Sequence, residues 1–152
     1  EDRDTIKKRT FELRCVCAIY RDHPLAEREE VGPKDLSGLP MAALTREHPT
    51  LIKTKRAFRD FGAEFNQRFE LQIFQPALEL VERGLCFSIC DQISAESYRI
   101  YCKHDPGIVF VPFNPEITIS TSIVTPSRRP PSMLAEKFEE CLTQAMIKLQ
   151  EG

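Results

Sequence analysis

Residues 69–90, FELQIFQPALELVERGLCFSIC, contain the pattern that decides the fold class. Residues 69–74 alternate apolar and polar side chains, which predicts a half-buried strand. Pro76 is suited to open a helix, and Gly84 is suited to end it. Residues 85–90 form a short apolar run, which is typical of a strand buried on both faces. A strand, a helix and a second strand in so short a stretch predict an α/β fold with a largely parallel sheet.

The alternation of strands and helices extends in both directions from this stretch. Pro49 and Gly62 bracket a second predicted helix, whose many basic residues we interpret as a solvated face. The chain between Asp91 and Gly107 shows no clear periodicity and is predicted to be a loop. Further strands are predicted from apolar or alternating runs at residues 11–20, 39–44, 108–112 and 116–124.

A long amphipathic helix is predicted at the C-terminal end of the chain. The run Arg128-Arg129-Pro130-Pro131 interrupts regular structure, and Ser132 is suited to cap the helix that follows. Apolar residues then recur at helical spacing and predict a buried stripe. The stripe consists of Leu134, Phe138, Cys141, Leu142, Ala145 and Leu149.

Length and composition restrict the class of protein. The chain has 152 residues, enough for one ordinary domain or two small lobes. The net charge of −2 argues against nucleic acid binding through a basic face of this chain. Four of the six cysteines lie in apolar runs and no secretory signal opens the sequence, which favours a reduced, cytoplasmic setting. No apolar stretch approaches the roughly 20 residues of a membrane helix, so no membrane partner is expected.

The sequence offers little support for catalysis or for a bound cofactor. His23, His48 and His104 are widely spaced, and the cysteines lack zinc-finger spacing, so no metal is expected. A glycine-rich phosphate loop and a Gly-x-Ser-x-Gly nucleophile motif are both absent from the sequence. The sequence therefore predicts that the protein is not an enzyme and needs no cofactor.

Polar residues follow three of the predicted strands. They are Thr45-Arg46-Glu47-His48, Gln75 after Phe74, and Asp91-Gln92 after Cys90. In open α/β sheets, ligands bind outside the carboxyl ends of the strands, and helix N-termini favour an anion such as a carboxylate. Two of these segments lead into predicted helix N-termini, at Pro49 and Pro76. A ligand site and ordinary helix capping both remain open as interpretations.

Four short motifs, in the correct order and at matching spacing, resemble one known family. They are HPLA at 23–26, DLSGLP at 35–40, LELVERGLCFSI at 78–89 and RPPSMLAEKFEECL at 129–142. Together they resemble the effector-binding domain of LysR-type transcriptional regulators. The segment VPFNPEITISTSIVTPSRRPPS at 111–132 is similar to the subgroup that includes the diaminopimelate decarboxylase activator and the regulators of opine catabolism.

The resemblance implies a fold like that of the periplasmic binding proteins. Each lobe would be a Rossmann-like open sheet with flanking helices, and a small effector would sit between two lobes. Residues 1–13 would end the first lobe and cross over, residues 14–113 would form the second lobe, and residues 114–152 would return to a partial first lobe. The winged helix-turn-helix that contacts DNA is expected to lie outside this chain, as are the opening strands of the first lobe.

The resemblance also implies a function, and the position of polar residues at the strand ends adds a set of expected binding residues. The effector is expected to be an amino acid or an opine-like compound, and its binding would modulate a DNA-bound homo-dimer or tetramer. Arg46 would pair with a carboxylate, and Asp91 or Gln92 would accept a hydrogen bond from an amine. The full set of expected effector-binding residues is Thr45, Arg46, Phe74, Gln75, Asp91 and Gln92.

Two alternatives to this function remain open from the sequence. Cys90 and Cys102 could form a thiol-based redox sensor, although the carboxylate of Asp91 beside Cys90 would raise the pKa of that thiol. The chain could instead be a stand-alone solute-binding lobe. One local departure from the family pattern is Cys86, which stands where a second glycine is more common.

Overall fold

The fold is described from a computed structural model of the chain, which describes residues 6–102, 105–126 and 130–151. The chain divides into two compact units. One unit contains Arg14–Ile119, and the other contains the described residues up to Leu13 and from Ser120 onward. Arg128 and Arg129, predicted to interrupt regular structure, and His104 lie outside the described residues.

Strands and helices alternate along most of the described chain. A 3-10 helix, Pro24–Glu27, follows the first strand, and its His23 cap accepts a hydrogen bond from the Leu25 N–H. The strands are β1 (Ile6–Tyr20), β2 (Met41–Leu44), β3 (Gln67–Leu71), β4 (Ser88–Asp91), β5 (Ile108–Pro112) and β6 (Thr118–Pro126). The α helices are α1 (Pro49–Asp60), α2 (Phe74–Glu82), α3 (Gln92–Tyr101) and α4 (Met133–Glu151).

The unit Arg14–Ile119 is built around a mixed sheet. Strand β2 pairs in parallel with β3, and backbone hydrogen bonds from Ala42 to Phe87 and from Phe87 to Pro40 join β2 to the start of β4. Strand β1 lies between β4 and β5 and is antiparallel to both. The order is therefore β3-β2-β4-β1-β5. The predicted largely parallel sheet is correct for four of these strands, and β1 is the exception.

Helices cover both faces of this sheet because its strands alternate their side chains between the faces. On β1, Cys15, Cys17 and Ile19 belong to the hydrophobic cluster that contains Leu51 and Phe58 of α1. Ala18 points the other way, into the cluster formed with α2 and α3. The second cluster is centred on Ala42, Leu44, Phe74, Ala77, Leu78, Val81, Cys90, Ala95 and Tyr98.

The helix after β4 corrects the predicted loop between Asp91 and Gly107. Helix α3 spans Gln92–Tyr101 and buries Ala95 and Tyr98, which are three residues apart and therefore share one face. Asp91 caps its N-terminus. The apolar face is only two residues wide, which is why periodicity alone did not reveal the helix.

The boundary between β3 and α2 also differs from the prediction. The strand ends at Leu71, not at residue 74, and the helix begins at Phe74, two residues before Pro76. Proline fits within the first helical turn because the N–H groups of that turn have no partner inside the helix. Phe74 is thus the first residue of a helix rather than the last residue of a strand.

The other unit contains the first part of β1 together with most of β6 and helix α4. Strand β6 pairs with β1. The Thr10 and Ser122 hydroxyl oxygens lie 3.0 Å apart. Helix α4 is tied to β1 by Gln150 Nε2, which donates to the Glu12 carbonyl oxygen at 3.0 Å.

The predicted cap of α4 is confirmed, but its predicted stripe is buried only in part, since Leu142 and Leu149 are half-buried and the other four residues are exposed. Ser132 Oγ accepts a hydrogen bond from the Ala135 N–H. Leu134 and Phe138 are 81% and 67% exposed, whereas Thr143 and Met146 are buried. The helix packs through the face that carries Thr143, Met146 and Gln150, so tertiary contacts and not apolar spacing alone select the buried face.

Candidate functional site

The carboxyl ends of β2, β3 and β4 lie along one edge of the sheet, which we call the strand-end edge. Leu44 of β2 is paired with Leu71 of β3, and Met41 of β2 is paired with Phe87, which precedes β4. Since these strands run in parallel, their last residues reach the same edge. This is the position at which open α/β sheets bind ligands.

Three helices begin at the strand-end edge, and they are capped differently. His48 Nδ1 accepts from the Thr50 N–H at the start of α1, and Asp91 accepts from the Ser94 N–H at the start of α3. The N-cap of α2 is Ile73, whose side chain makes no capping hydrogen bond. Helix α2 therefore presents its first N–H groups and the positive end of its dipole without a side-chain acceptor.

The N-termini of α1 and α2 lie next to each other. The His48 ring, which caps α1, packs edge-on against the Phe74 ring, which begins α2, with ring centroids 5.8 Å apart. Phe74 is buried in the hydrophobic cluster beneath α2. The aromatic contact therefore fixes the distance between two helix N-termini that both attract negative charge.

A buried hydroxyl beside these N-termini lacks a partner. Thr50, the second residue of α1, is 2% exposed, and within the described part of the chain its Oγ1 has no hydrogen-bond partner. The Cys15 thiol lies next to it; burial raises the pKa of that thiol to about 12, and its interaction with the Thr50 side chain opposes the rise. Cys15 is paired with Asp91 across β1 and β4, which brings Thr50 close to the start of α3. Burying a hydroxyl group without a hydrogen-bond partner costs free energy, unless a ligand or a water molecule supplies that partner.

The structure brings the six predicted binding residues to the strand-end edge, in two kinds of environment. Thr45, Arg46 and Gln75 are exposed there. Phe74 is buried and contacts His48. Asp91 and Gln92 are already hydrogen-bonded within the protein.

Asp91 and Gln92 each have a structural partner. The Ser94 N–H and the Ser94 hydroxyl donate to the two Asp91 carboxylate oxygens at 2.8 and 3.0 Å. Gln92 Oε1 accepts from the Arg14 N–H at 3.1 Å. The expectation that either side chain accepts from an effector amine stays a prediction. Helix capping accounts for the Asp91 contacts, and Gln92 binds the backbone of β1.

We expect Asp91→Ala to lower the free energy of unfolding by about 1–2 kcal/mol, because the start of α3 loses the side-chain acceptor that caps it. Urea denaturation at neutral pH would measure the change. Asp91→Asn is the matched control, since asparagine caps helices about as well as aspartate. Equal stability of Asp91→Ala and the parent chain would show that the cap contributes nothing.

The cysteines do not resemble a redox-active pair. All six are free thiols. Cys90 is completely buried, and burial together with the neighbouring Asp91 raises its pKa well above the usual value. A reactive thiol needs the opposite, an accessible sulfur with a lowered pKa. Cys90 is therefore a core side chain, which weakens the alternative of a thiol sensor based on Cys90 and Cys102.

Sequence reasoning did not identify Thr50 or Ile73 as candidates. Thr50 follows His48-Pro49, a pair of residues that indicates the start of a helix. That pattern does not show whether the threonine hydroxyl is buried. Ile73 is 62% exposed at the strand-end edge, where its side chain adds an apolar surface beside the α2 N-terminus. The alternation pattern assigned Ile73 to a strand, and the earlier end of β3 moves it into the cap position.

The described residues contain neither a metal site nor a membrane-spanning helix. Across residues 6–102, 105–126 and 130–151, no group of three or more His, Cys, Asp or Glu side chains is arranged to hold a metal ion. In the same ranges, no helix is both long and apolar enough to cross a membrane.

Comparison with known proteins identifies one family. A family model described as the LysR substrate binding domain matches residues 1–147. Regulatory protein NocR of Agrobacterium tumefaciens (strain T37) is 28% identical over 137 residues, which is 90% of this chain and 44% of that protein. The chain therefore spans less than half the length of this curated relative.

Solved structures share the fold at low sequence identity. The CcmR regulatory domain from Synechocystis PCC6803, in complex with 2-PG, gives a TM-score of 0.66 at 14% identity, covering 96% of this chain and 69% of that one. HinK, a LysR family transcriptional regulator from Pseudomonas aeruginosa, gives 0.66 at 18% identity, covering 96% and 50%. The predicted class, an α/β fold of the periplasmic-binding-protein type, is confirmed.

Proposed function

This chain belongs to the LysR substrate binding domain family, and we propose that it binds a small carboxylate-bearing effector at the strand-end edge. The family consists of regulatory domains of transcription regulators and not of enzymes. The effector class that we propose is an amino acid or an opine-like N-carboxyalkyl amino acid. The contacts that we assign to it are Thr45, Arg46, Gln75 and Thr50.

The observation that carries this proposal is the juxtaposition of the α1 and α2 N-termini. Helix α2 has no side-chain cap, and its first N–H groups are available to a carboxylate. Thr50 at the start of α1 contributes a buried hydroxyl that has no partner in the described part of the chain. Together they favour an anion with several acceptor oxygens.

Arg46 supplies the side-chain charge that a carboxylate needs. It is exposed in the turn between β2 and α1, and it takes part in no salt bridge found among the described residues. A guanidinium can donate two parallel hydrogen bonds to a carboxylate. Since Ile73 is exposed beside the α2 N-terminus, the same edge also offers apolar contact to an aliphatic part of the effector.

We propose Asp91 and Gln92 as the acceptors for the amine of the effector. Each already accepts a hydrogen bond within the protein. A carboxylate oxygen can accept more than one hydrogen bond, so Asp91 retains capacity for an amine without losing its cap to Ser94. This part of the proposal is separate from the carboxylate site.

Calorimetric titration of an effector-binding domain that contains this chain and both lobes, with free L-amino acids and N-carboxyalkyl amino acids, tests the proposal. We expect Arg46→Ala to weaken binding about tenfold or more, because a charge-assisted hydrogen bond is lost. Arg83→Ala is the matched control: Arg83 is also exposed, but it lies at the C-terminal end of α2. Unchanged affinity in Arg46→Ala would contradict the assigned contact, and the absence of binding by every compound would contradict the effector class.

The proposal also includes the DNA-bound oligomer of a longer regulator that would contain this chain. In a longer regulator, DNA would be contacted by a winged helix-turn-helix outside this chain, and the regulator would act as a homo-dimer or tetramer in the cytoplasm. An effector can shift such an assembly only by its difference in affinity for two conformational states.

A further inference from the structure

A partly open cavity lies within the unit Arg14–Ile119, at the edge of the sheet opposite the strand-end edge. It has a volume of about 120 Å³. The end of β1 and the segments that lead into β2 and β4 line it. Its lining consists of Ile19, Tyr20, His23, Leu25, Leu36, Leu39, Pro40, Gly84, Leu85, Cys86 and Phe87.

The cavity wall is mainly apolar, and part of it belongs to the hydrophobic core. Ile19, Leu36 and Phe87 are members of the main hydrophobic cluster, and each is at most 5% exposed. Gly84 has a φ of +71°, a backbone conformation that favours glycine, and it lies beside the Tyr20 ring. The lining contains no Lys, Arg, Asp or Glu, and a charged molecule would find no counter-ion in it.

His23 is a polar side chain in this wall. Its Nδ1 accepts a hydrogen bond from the Leu25 N–H at 3.1 Å. An accepting Nδ1 carries no proton, so the neutral ring carries its proton on Nε2. The cavity thus combines an apolar wall with one imidazole N–H donor, the combination by which small-molecule sites orient a largely apolar ligand.

We propose that this cavity is a second ligand site, for a small neutral ring compound that carries one hydrogen-bond acceptor. An apolar cavity of about 150 Å³ is known to hold benzene, so a cavity of this size suits a single six-membered ring. The ring would contact Leu25, Leu36 and Phe87, and its hydroxyl or carbonyl oxygen would accept from His23 Nε2–H. This ligand differs in charge from the carboxylate-bearing effector proposed for the strand-end edge.

Phenol is the probe that tests this site. Titration of the chain with phenol, followed through the NMR signals of leucine and isoleucine methyl groups, should give saturable shifts at Ile19, Leu25 and Leu39. The Ile52 methyl groups on α1 serve as the internal reference and should not shift. Shifts that do not saturate, or that spread equally to Ile52, would overturn the site.

Two kinds of variant make the assignment specific. Cys86→Leu fills part of the cavity and should abolish the saturable shifts. If that variant does not fold, Leu39→Phe fills the cavity from a partly buried position and should have the same effect. His23→Asn keeps an acceptor for the Leu25 N–H, but its shorter amide does not reach as far as Nε2, so phenol affinity should fall about fivefold. Parent-like affinity in a folded cavity-filling variant, or in His23→Asn, would overturn the proposal.

Discussion

Replacement of Phe58 by alanine is expected to lower the free energy of unfolding by about 3–5 kcal/mol. Phe58 is 1% exposed at the centre of the main hydrophobic cluster. Its ring lies parallel to that of Phe87, with centroids 6.5 Å apart, and meets the edge of Phe65 at 5.4 Å. Alanine would remove these aromatic contacts and leave a cavity that the surrounding β strands cannot close.

Urea denaturation followed by circular dichroism measures this effect. The matched control is Phe61→Ala, one helical turn further along the chain, because Phe61 is 45% exposed. We expect the control to lose less than about 1 kcal/mol. Similar losses in the two variants would show that the cluster under α1 does not hold the unit together as described.

The second large effect is expected from Gly32→Ala. A Cβ at position 32 would lie 2.7 Å from the backbone oxygen of Asn114, a separation that real Cβ atoms do not tolerate. Asn114 cannot easily retreat, since its N–H donates to the Val31 carbonyl and the Val31 N–H donates to Pro112. We expect a loss of about 2–3 kcal/mol in stability, because the variant must break this backbone pairing.

Thermal unfolding would report the Gly32→Ala loss as a fall in Tm of about 5–10 °C. Gly62→Asn is the control. Gly62 has a φ of +64° with no atom close to its Cβ position, and asparagine tolerates that backbone conformation. The control should change stability by about 1 kcal/mol or less. A Gly32→Ala variant as stable as the parent would mean that the contact between residues 31 and 114 is readily displaced.

Local sequence patterns were sufficient for most strands and for α1. Residues 108–112 form β5 as predicted, because a short apolar run between a glycine and a turn has few alternatives. Helix α1 starts at Pro49 and ends two residues before Gly62, as the signals at its two ends indicate. Helix α3 was missed because Ala95 and Tyr98 are its only buried residues, and two apolar positions are too few to define a period.

The candidate site was predictable in place but not in detail. The rule that ligands bind at the carboxyl ends of strands selected loops that the structure places along one edge of the sheet, and their role in binding stays a prediction. It could not distinguish Asp91, which caps α3 through Ser94, from Arg46, which is exposed. Nor could it indicate that Thr50 is buried without a partner, since that depends on which atoms of β1 and α1 meet.

What the sequence alone determined is the α/β class and the order of most elements, because hydrophobic periodicity and helix-end residues act over a few neighbouring positions. The tertiary structure decided the remaining features. It placed β1 antiparallel between β4 and β5, turned Thr143 and Met146 of α4 inward instead of Leu134 and Phe138, and set the His48 ring against Phe74. These outcomes depend on contacts between residues far apart in the chain, and no local pattern contains that information.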